Sequence, residues 1–329
     1  MRVAAVGRIV VALVVGALAC GGNGPVSPPP SDDLDADGLA DLEEAAILRQ
    51  YLPVWSFDPS ETLFPISLAE WAALGERVTA ASGAGSAPYA DPASLLAAVQ
   101  MFPDGVMVTA AEPRSGLPPC GAGPGCNDAP VFVDAIPVGF TRNGRGNLVW
   151  LHYWLLYHYD RKLALPGSDQ RPQHHGDWEH VCVLASLDDL EDPDAPPVGL
   201  HFHAHGNLDV ADDASAWHAD GAGAFHPRVY VEAGGHASFR DPGETILGPH
   251  LGGVIDPDGL DHPLAFLQPH ATNRSDPVDE IVRAFRGRWG QTNGESGVSP
   301  VGPLEFDDPC DHDYERSPGL SDWIPTCSQ

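Results

Sequence analysis

The rhythm of apolar and polar positions changes several times along the chain. An unbroken apolar run over residues 9–18 follows Arg2 and Arg8, and it is too short to span a bilayer comfortably, so it predicts an export signal. Residues 21–31, dominated by Gly, Pro and Ser, carry too little apolar surface to offset chain entropy and predict a disordered tether. Helical spacing follows over 39–52, stopping before Pro53, then over 67–82, and over 91–102 with Asp91 as N-cap and Pro92 at the first position. From Val131 the texture turns to strands, with apolar and aromatic runs at 147–159, 178–187, 198–205 and 228–233 between Gly, Pro and Asp clusters. One more helix is predicted over 277–289, ahead of a Gly/Ser/Pro-rich tail. No period of about 20 to 50 residues recurs, which excludes a repeat architecture. The pattern predicts a mainly β fold with peripheral α-helices, α+β overall.

The segment Ala17-Leu18-Ala19-Cys20-Gly21 resembles the lipobox of bacterial lipoproteins. That resemblance makes residues 1–19 a lipoprotein signal peptide and Cys20 the acylated first residue of a protein anchored in the cell envelope, on the outer membrane or cell surface. Ordinary cleavage after Ala19 would instead give a secreted product. A formal charge of -29 with a single lysine, Lys162, repels nucleic acid and favours divalent cations, so a nucleic-acid partner is excluded. Export makes disulfides available. Cys120 and Cys126 enclose a short glycine-rich loop and are expected to pair; Cys310 and Cys327 bracket the tail, residues 304–329, and are expected to close it. Cys182 then stays alone in an apolar strand as a buried structural thiol.

Residues 32–45 carry a calcium-loop pattern. Asp33, Asp35 and Asp37 stand at positions 1, 3 and 5 of a twelve-residue loop, with Gly38 at the sharp turn, the Leu39 carbonyl at 7, Asp41 at 9 and Glu44 at 12. Every ligand position is filled, and a hard cation takes such an oxygen set. The segment resembles the EF-hand-like and thrombospondin type 3 calcium spacers of exported proteins, in which the ion stiffens a linker.

The densest chemistry lies at His174-His175-Gly176-Asp177-Trp178-Glu179-His180. In a strand, residues two apart share a face, so Asp177 and Glu179 point one way and Trp178 and His180 the other. Neighbouring carboxylates repel unless something positive sits between them. A divalent metal ion supplies that charge, and His201, His203 and His205 offer imidazoles from one face of another strand. His158 and Asp160 repeat the pattern at the end of the 147–159 strand, and His236 follows a fourth strand, where glycines let the backbone come close. Asp177 and Glu179 are alternatively a general acid and base for hydrolysis, since adjacent carboxylates drive their proton affinities apart. There is no nucleophile elbow, phosphate-cradling glycine loop or dinucleotide fingerprint.

At these residues the chain resembles the vacuolar protein sorting 62 family. The resemblance is carried by His174-His175-Gly176-Asp177-Trp178-Glu179-His180-Val181, by Phe202-His203-Ala204-His205-Gly206, and by Val229-Tyr230-Val231 with Gly235-His236-Ala237-Ser238-Phe239. It extends to Tyr153-Trp154-Leu155-Leu156-Tyr157 and Phe285-Arg286-Gly287-Arg288-Trp289, and covers a single globular domain over 46–303. More distantly, His174, Asp177, Trp178 and Glu179 match the Gly-His-Arg-His-Asp-Trp-Glu hallmark of the necrosis-inducing Nep-like proteins. That similarity implies a β-sandwich of the Nep-like and actinoporin-like kind. It also implies one divalent cation held by His174, Asp177, Glu179, Asp160 and His205, with His175, His203 and His236 as further candidate ligands. Here the chain reads Gln173-His174-His175-Gly176 rather than Gly-His-Arg-His, and Asp160 aligns only across a gap, so plant-lipid binding and necrosis are not carried over.

Two functions compete. One is a metal-binding, surface- or membrane-interacting protein, cytolysin-like, whose cation organises loops that meet a lipid headgroup or glycan. The other is a metal-dependent hydrolase of the cell envelope, with zinc on His201, His203 and His205 and water activated by Glu179 or Asp177. Calcium, magnesium and zinc all remain open for the core ion, beside calcium in the N-terminal loop. Oxygen-dominated coordination favours the first reading, and three imidazoles with an open position favour the second.

Overall fold

The structure is a computed structural model that describes residues 39–58, 61–110, 113–116, 131–140, 147–161, 173–189, 192, 195–204, 207–211, 217–219, 225–240, 260–263, 267–269, 281–282 and 284–291. The segments expected to form the signal peptide, the tether and the tail, and the acidic residues Asp33, Asp35 and Asp37, lie outside the described residues. So do His205 and the cysteines Cys20, Cys120, Cys126, Cys310 and Cys327.

Two sheets face each other. The first is five-stranded, formed by β1 (Val54–Phe57), β10 (Trp217–Ala219), β11 (Phe225–Val231), β12 (Ser238–Phe239) and β13 (Leu260–Pro263). The second is six-stranded in the order β14-β5-β6-β7-β8-β9, from β5 (Val131–Phe140), β6 (Asn147–Asp160), β7 (His174–Ser186), β8 (Gly199–Ala204), β9 (Asn207–Ala211) and β14 (Leu267–Pro269). Strands β1 and β11 run parallel, with Val54 opposite Arg228 and Phe57 opposite Val231, so their C-terminal ends emerge together at one end of the molecule. Strands β6 and β7 form a long antiparallel ladder from Leu148 opposite Ser186 to Asp160 opposite His174. That register brings the end of β6 and the start of β7 to one place.

Alternation along β6 and β7 divides their side chains between two cores. Leu151, Tyr153 and Leu155, with Val181 and Val183, pack against Trp55, Phe57, Val229 and Val231 of the first sheet. This shared core makes the fold a two-layer sandwich. The intervening residues Trp154, Leu156 and Trp178 pack on the opposite side against Trp71, Phe285 and Trp289. That side is covered by helices α2 (Leu68–Ala73) and α3 (Pro92–Met101) and by a small sheet of β2 (Gly75–Thr79), β3 (Ser86–Pro88) and β4 (Val106–Thr109). A further helix, α1 (Asp41–Gln50), inserts Ile47 and Leu48 into the sandwich core.

Helix α3 starts where its sequence places it. Asp91 Oδ1 accepts a hydrogen bond from the Ser94 amide, and Ser94 Oγ accepts one from the Asp91 amide. The helix expected over 67–82 is corrected: six residues are helical behind the Ser67 capping box, and the chain then turns into β2, whose Val78 and Thr79 suit a pleated surface better than a helix. The helix expected over 277–289 is corrected at its end. From Phe285 the chain leaves the helix and runs beside β4, with the Met107 amide donating to the Arg288 carbonyl and the Arg288 amide to the Gly105 carbonyl. Gly287 permits that approach, because a Cβ there would strike the Gly105 backbone. Cys182 is buried, as expected, but it is disulfide-bonded rather than a lone thiol.

Candidate functional site

The end of the sandwich at which β1 and β11 terminate gathers acidic side chains from both sheets. Glu61 follows β1, Glu232 follows β11, Asp160 closes β6, and Asp177 and Glu179 open β7. Glu61, Glu232, Asp160 and Asp177 are buried, and Glu179 is partly exposed. Among them stands His236, fully buried in the turn after β11. Its Nδ1 lies 2.8 Å from Asp177 Oδ2, and its Nε2 lies 3.6 Å from Glu61 Oε2. The Tyr157 ring stacks on the imidazole at 3.8 Å between centroids and 4° between planes.

Each partner is itself held. Glu61 Oε1 accepts from the Thr62 and Leu63 amides, and Oε2 accepts from the Gly234 amide at 2.6 Å. Gly234 has a positive φ of 73°, and its carbonyl accepts from the Arg161 amide just beyond β6. His236 also has a positive φ, 55°, a backbone state that non-glycine residues adopt only where surrounding contacts impose it. Here the His236 amide donates to the Glu232 carbonyl and the Glu232 amide to the Ala237 carbonyl, closing the turn.

Charge follows from these contacts. Burial alone would lower the proton affinity of His236, but its hydrogen bond with Asp177 and the negative charges of Glu61 and Asp177 reverse that and push the imidazole up to about 10. Burial likewise would raise Glu61, and the His236 charge with the Gly234 and Leu63 amides outweighs it, bringing the carboxyl down to about 2. Glu179 lacks such compensation. Burial first, and then Asp177, hold its carboxyl well above the usual range, with Asp160 and Glu232 adding to the effect against the opposing charge of His236.

The sequence-predicted ligands fall into two groups. Asp160 and His174 face each other across the ladder, with His174 Nε2 3.3 Å from Asp160 Oδ2, on the same two strands as Asp177 and Glu179. The donor chemistry is of the type a divalent cation takes, carboxylate oxygens with imidazole, and burial beside Asp177 makes Glu179 hold its proton in the absence of an added positive charge. Among the described residues, however, no three His, Cys, Asp or Glu side chains stand in a metal-holding group, and His205 lies outside those residues. The core position of the cation expected between Asp177 and its neighbours is partly taken by the His236 imidazole.

Other candidates sit elsewhere. His175 is fully buried among His158, at 5.1 Å between ring centroids, and Tyr159, at 4.9 Å. Residues 175 and 177 would share a face in a regular strand, but Gly176 has a φ of 69°, and this breaks the alternation. His175 therefore packs against the Gly290 backbone on the helical side, while Asp177 turns toward His236. His201 is corrected as a partner of the carboxylates. It lies opposite Cys182, packs against Trp150 at 4.8 Å, and occupies the opposite face of the second sheet from Asp177 and Glu179. A zinc centre on His201 served by Glu179 or Asp177 is thus not assembled. His203 lies in β8, and Glu44 is buried in α1 with Leu39 just before that helix.

Three contributors escaped the sequence reading. Glu232 follows the end of a strand just before the Gly234-Gly235-His236 turn, and an acid at a strand's end beside glycines was a usable signal. Tyr157 was legible only as core. Glu61 lies in a loop with nothing unusual in its spacing.

Among the described residues no helix is long and apolar enough to cross a membrane. No protein-family model matches the chain, and no curated protein matches it. The vacuolar protein sorting 62 resemblance thus rests on its motifs alone. Two solved structures are similar in fold. One, reported as "Toxin fold for microbial attack and plant defense", shares 19% identity over 78% of this chain and 84% of its own, at a TM-score of 0.35. The other, "Crystal structure of non-toxic HaNLP3 protein", shares 13% identity over 82% of this chain and 89% of its own, at a TM-score of 0.37. Both are Nep-like folds, similar to this chain in general shape.

Proposed function

We propose that this chain is an exported, lipid-anchored protein that binds a divalent cation at the acidic end of its sandwich and uses that end to engage a lipid headgroup or glycan, as a cytolysin-like protein would. The observation that carries the reading is an excess of acids at one place: Glu61 and Glu232 from the first sheet and Asp160, Asp177 and Glu179 from the second meet at this end, with the buried His236 imidazole among them. A divalent ion would relieve that excess, held by Asp160, His174, Asp177 and Glu179 with His205 as a further ligand. Oxygen donors outnumber imidazoles in this set, which suits calcium or magnesium better than zinc. The Nep-like hallmark supports the same assignment, since three of the residues that carry it, His174, Asp177 and Glu179, stand on the strands that meet here. Cys20 would supply the anchor, and the N-terminal acidic loop a separate calcium.

The test is elemental analysis and calorimetry on the protein with Asp33, Asp35 and Asp37 changed to Asn, followed by vesicle leakage with and without chelator. One bound ion and chelator-sensitive leakage support the reading. No ion retained and none rebound would sink it.

A further inference from the structure

Asp177 is held by a relay that the sequence motif does not contain. From the geometry we infer that Glu61 and His236 are positioning residues for the cation site: the imidazole, pinned by Glu61, fixes the orientation of the Asp177 carboxylate, and neither relay residue is itself a ligand. This inference rests on the proposed cation site.

Three observations carry it. His236 is fully buried and presents Nδ1 to Asp177 Oδ2 at 2.8 Å, so the nitrogen nearest the ligand set is committed to a hydrogen bond. Its other nitrogen faces Glu61 Oε2 at 3.6 Å, and that carboxylate is itself fixed in place by the amides of Thr62, Leu63 and Gly234. The ring cannot swing out to offer a lone pair elsewhere without losing the Tyr157 stack, and the backbone φ of 55° that the turn enforces fixes where the side chain starts. A carboxylate that binds a metal gains affinity when an outer hydrogen bond fixes its orientation, and removing such a partner typically weakens binding about 10- to 100-fold. The relay also spans the layers: Glu61 and His236 belong to the ends of the first sheet and Asp177 to the second, so the aim of the ligand depends on how the two sheets meet.

The experiment uses the full chain with Asp33, Asp35 and Asp37 changed to Asn, titrated with calcium and with magnesium by calorimetry. It is repeated with His236→Ala, His236→Gln and Glu61→Gln, and 15N-histidine spectra are recorded with and without ion. The expected result is roughly a tenfold or larger loss of affinity in His236→Ala, partial recovery in His236→Gln, whose amide can still donate, and a smaller loss in Glu61→Gln. The His236 Nδ1–H signal is expected to persist when the ion binds, since a coordinating nitrogen carries no proton. Affinity within twofold of the parent in His236→Ala, or loss of the Nδ1–H on ion binding, overturns the inference while leaving the cation site standing. No binding by the parent chain removes the cation site, and this inference with it. The spectra of the parent protein decide the matter even where a variant fails to fold.

Discussion

Strands β6 and β7 bury histidines on both sides of one sheet, and the two sides treat them in opposite ways. On the inner side, His236 lies between Asp177 and Glu61 and is pushed up to about 10. On the helical side, His158 and His175 lie beside each other and Trp71, and burial together with the neighbouring imidazoles and Arg114 brings His158 to about 4, while burial and His174 bring His175 to about 4. All three rings are fully buried. Burial therefore does not decide the charge of an imidazole; the presence of a carboxylate within hydrogen-bonding reach does. One region is an ionic junction between sheets, and the other is an apolar core that contains neutral rings.

The largest expected effect comes from cutting the ionic junction. Asp177→Ala leaves an imidazolium with one partner in a dry environment, and breaking a buried pair of this kind costs about 3 to 5 kcal/mol. His152→Ala, a buried ring on the other side of the sheet, should cost less. Denaturant unfolding of both variants measures the difference, and equal, small losses would show that Asp177 is not holding a charged partner.

Next in size is the residue that separates the regions. Gly176 directs His175 to one side and Asp177 to the other through its positive φ, and a Cβ there would run into the Trp289 carbonyl and the Trp71 ring. Gly176→Ala combines that collision with an unfavourable backbone, at about 2 to 4 kcal/mol. Loss of near-ultraviolet circular dichroism from Trp71 and Trp289 should accompany it. A variant that unfolds like the parent would mean that the alternation can be broken without this glycine.

The same glycine shows what the sequence disclosed and what it withheld. Apolar and aromatic runs made β6, β7 and β8 legible, and period-two alternation placed Asp177 and Glu179 on one face; Asp91-Pro92 made the start of α3 legible by its capping chemistry. Alternation misleads across Gly176, because it assumes extended backbone where the chain adopts a left-handed state. It also carries no information about partners from distant segments. Glu61 reaches His236 only because β1 pairs in parallel with β11, a long-range pairing that neither strand's own residues announce. Segment β2 read as helix because a single buried position, Val78, fits either period.

The third effect is on pH dependence, and the two regions pull in opposite directions. A histidine whose folded pKa is lowered from 6.5 to about 4 stabilises the fold fully above 6.5, and this contribution is lost as pH falls toward 4. His236, raised from 6.5 to about 10, contributes fully below 6.5 and loses its contribution as pH rises through 10. Glu61, lowered from 4.5 to about 2, contributes above 4.5 and loses its part as pH falls through 2. The three together place maximal stability near pH 6.5. Melting scans should fall on both sides, by about 5 °C or more at pH 4. His175→Phe should flatten the acid limb alone. A symmetric flattening would show that the two regions titrate as one.

The smallest expected effect separates the ring of Tyr157 from its hydroxyl. The ring lies flat on His236, where its face can stabilise a positive charge, whereas the buried hydroxyl has no hydrogen-bond partner among the described residues. Tyr157→Phe keeps the stack and removes only a buried polar atom without a partner, so stability should stay within about 0.5 kcal/mol of the parent or rise. Tyr157→Leu removes the ring and should cost more, in part by uncovering the imidazolium. If Tyr157→Phe instead loses more than about 1 kcal/mol, the hydroxyl has a partner at the charged end. Repeating the measurement with chelator would then identify the bound cation as that partner if the loss disappears, and would exclude it if the loss remains.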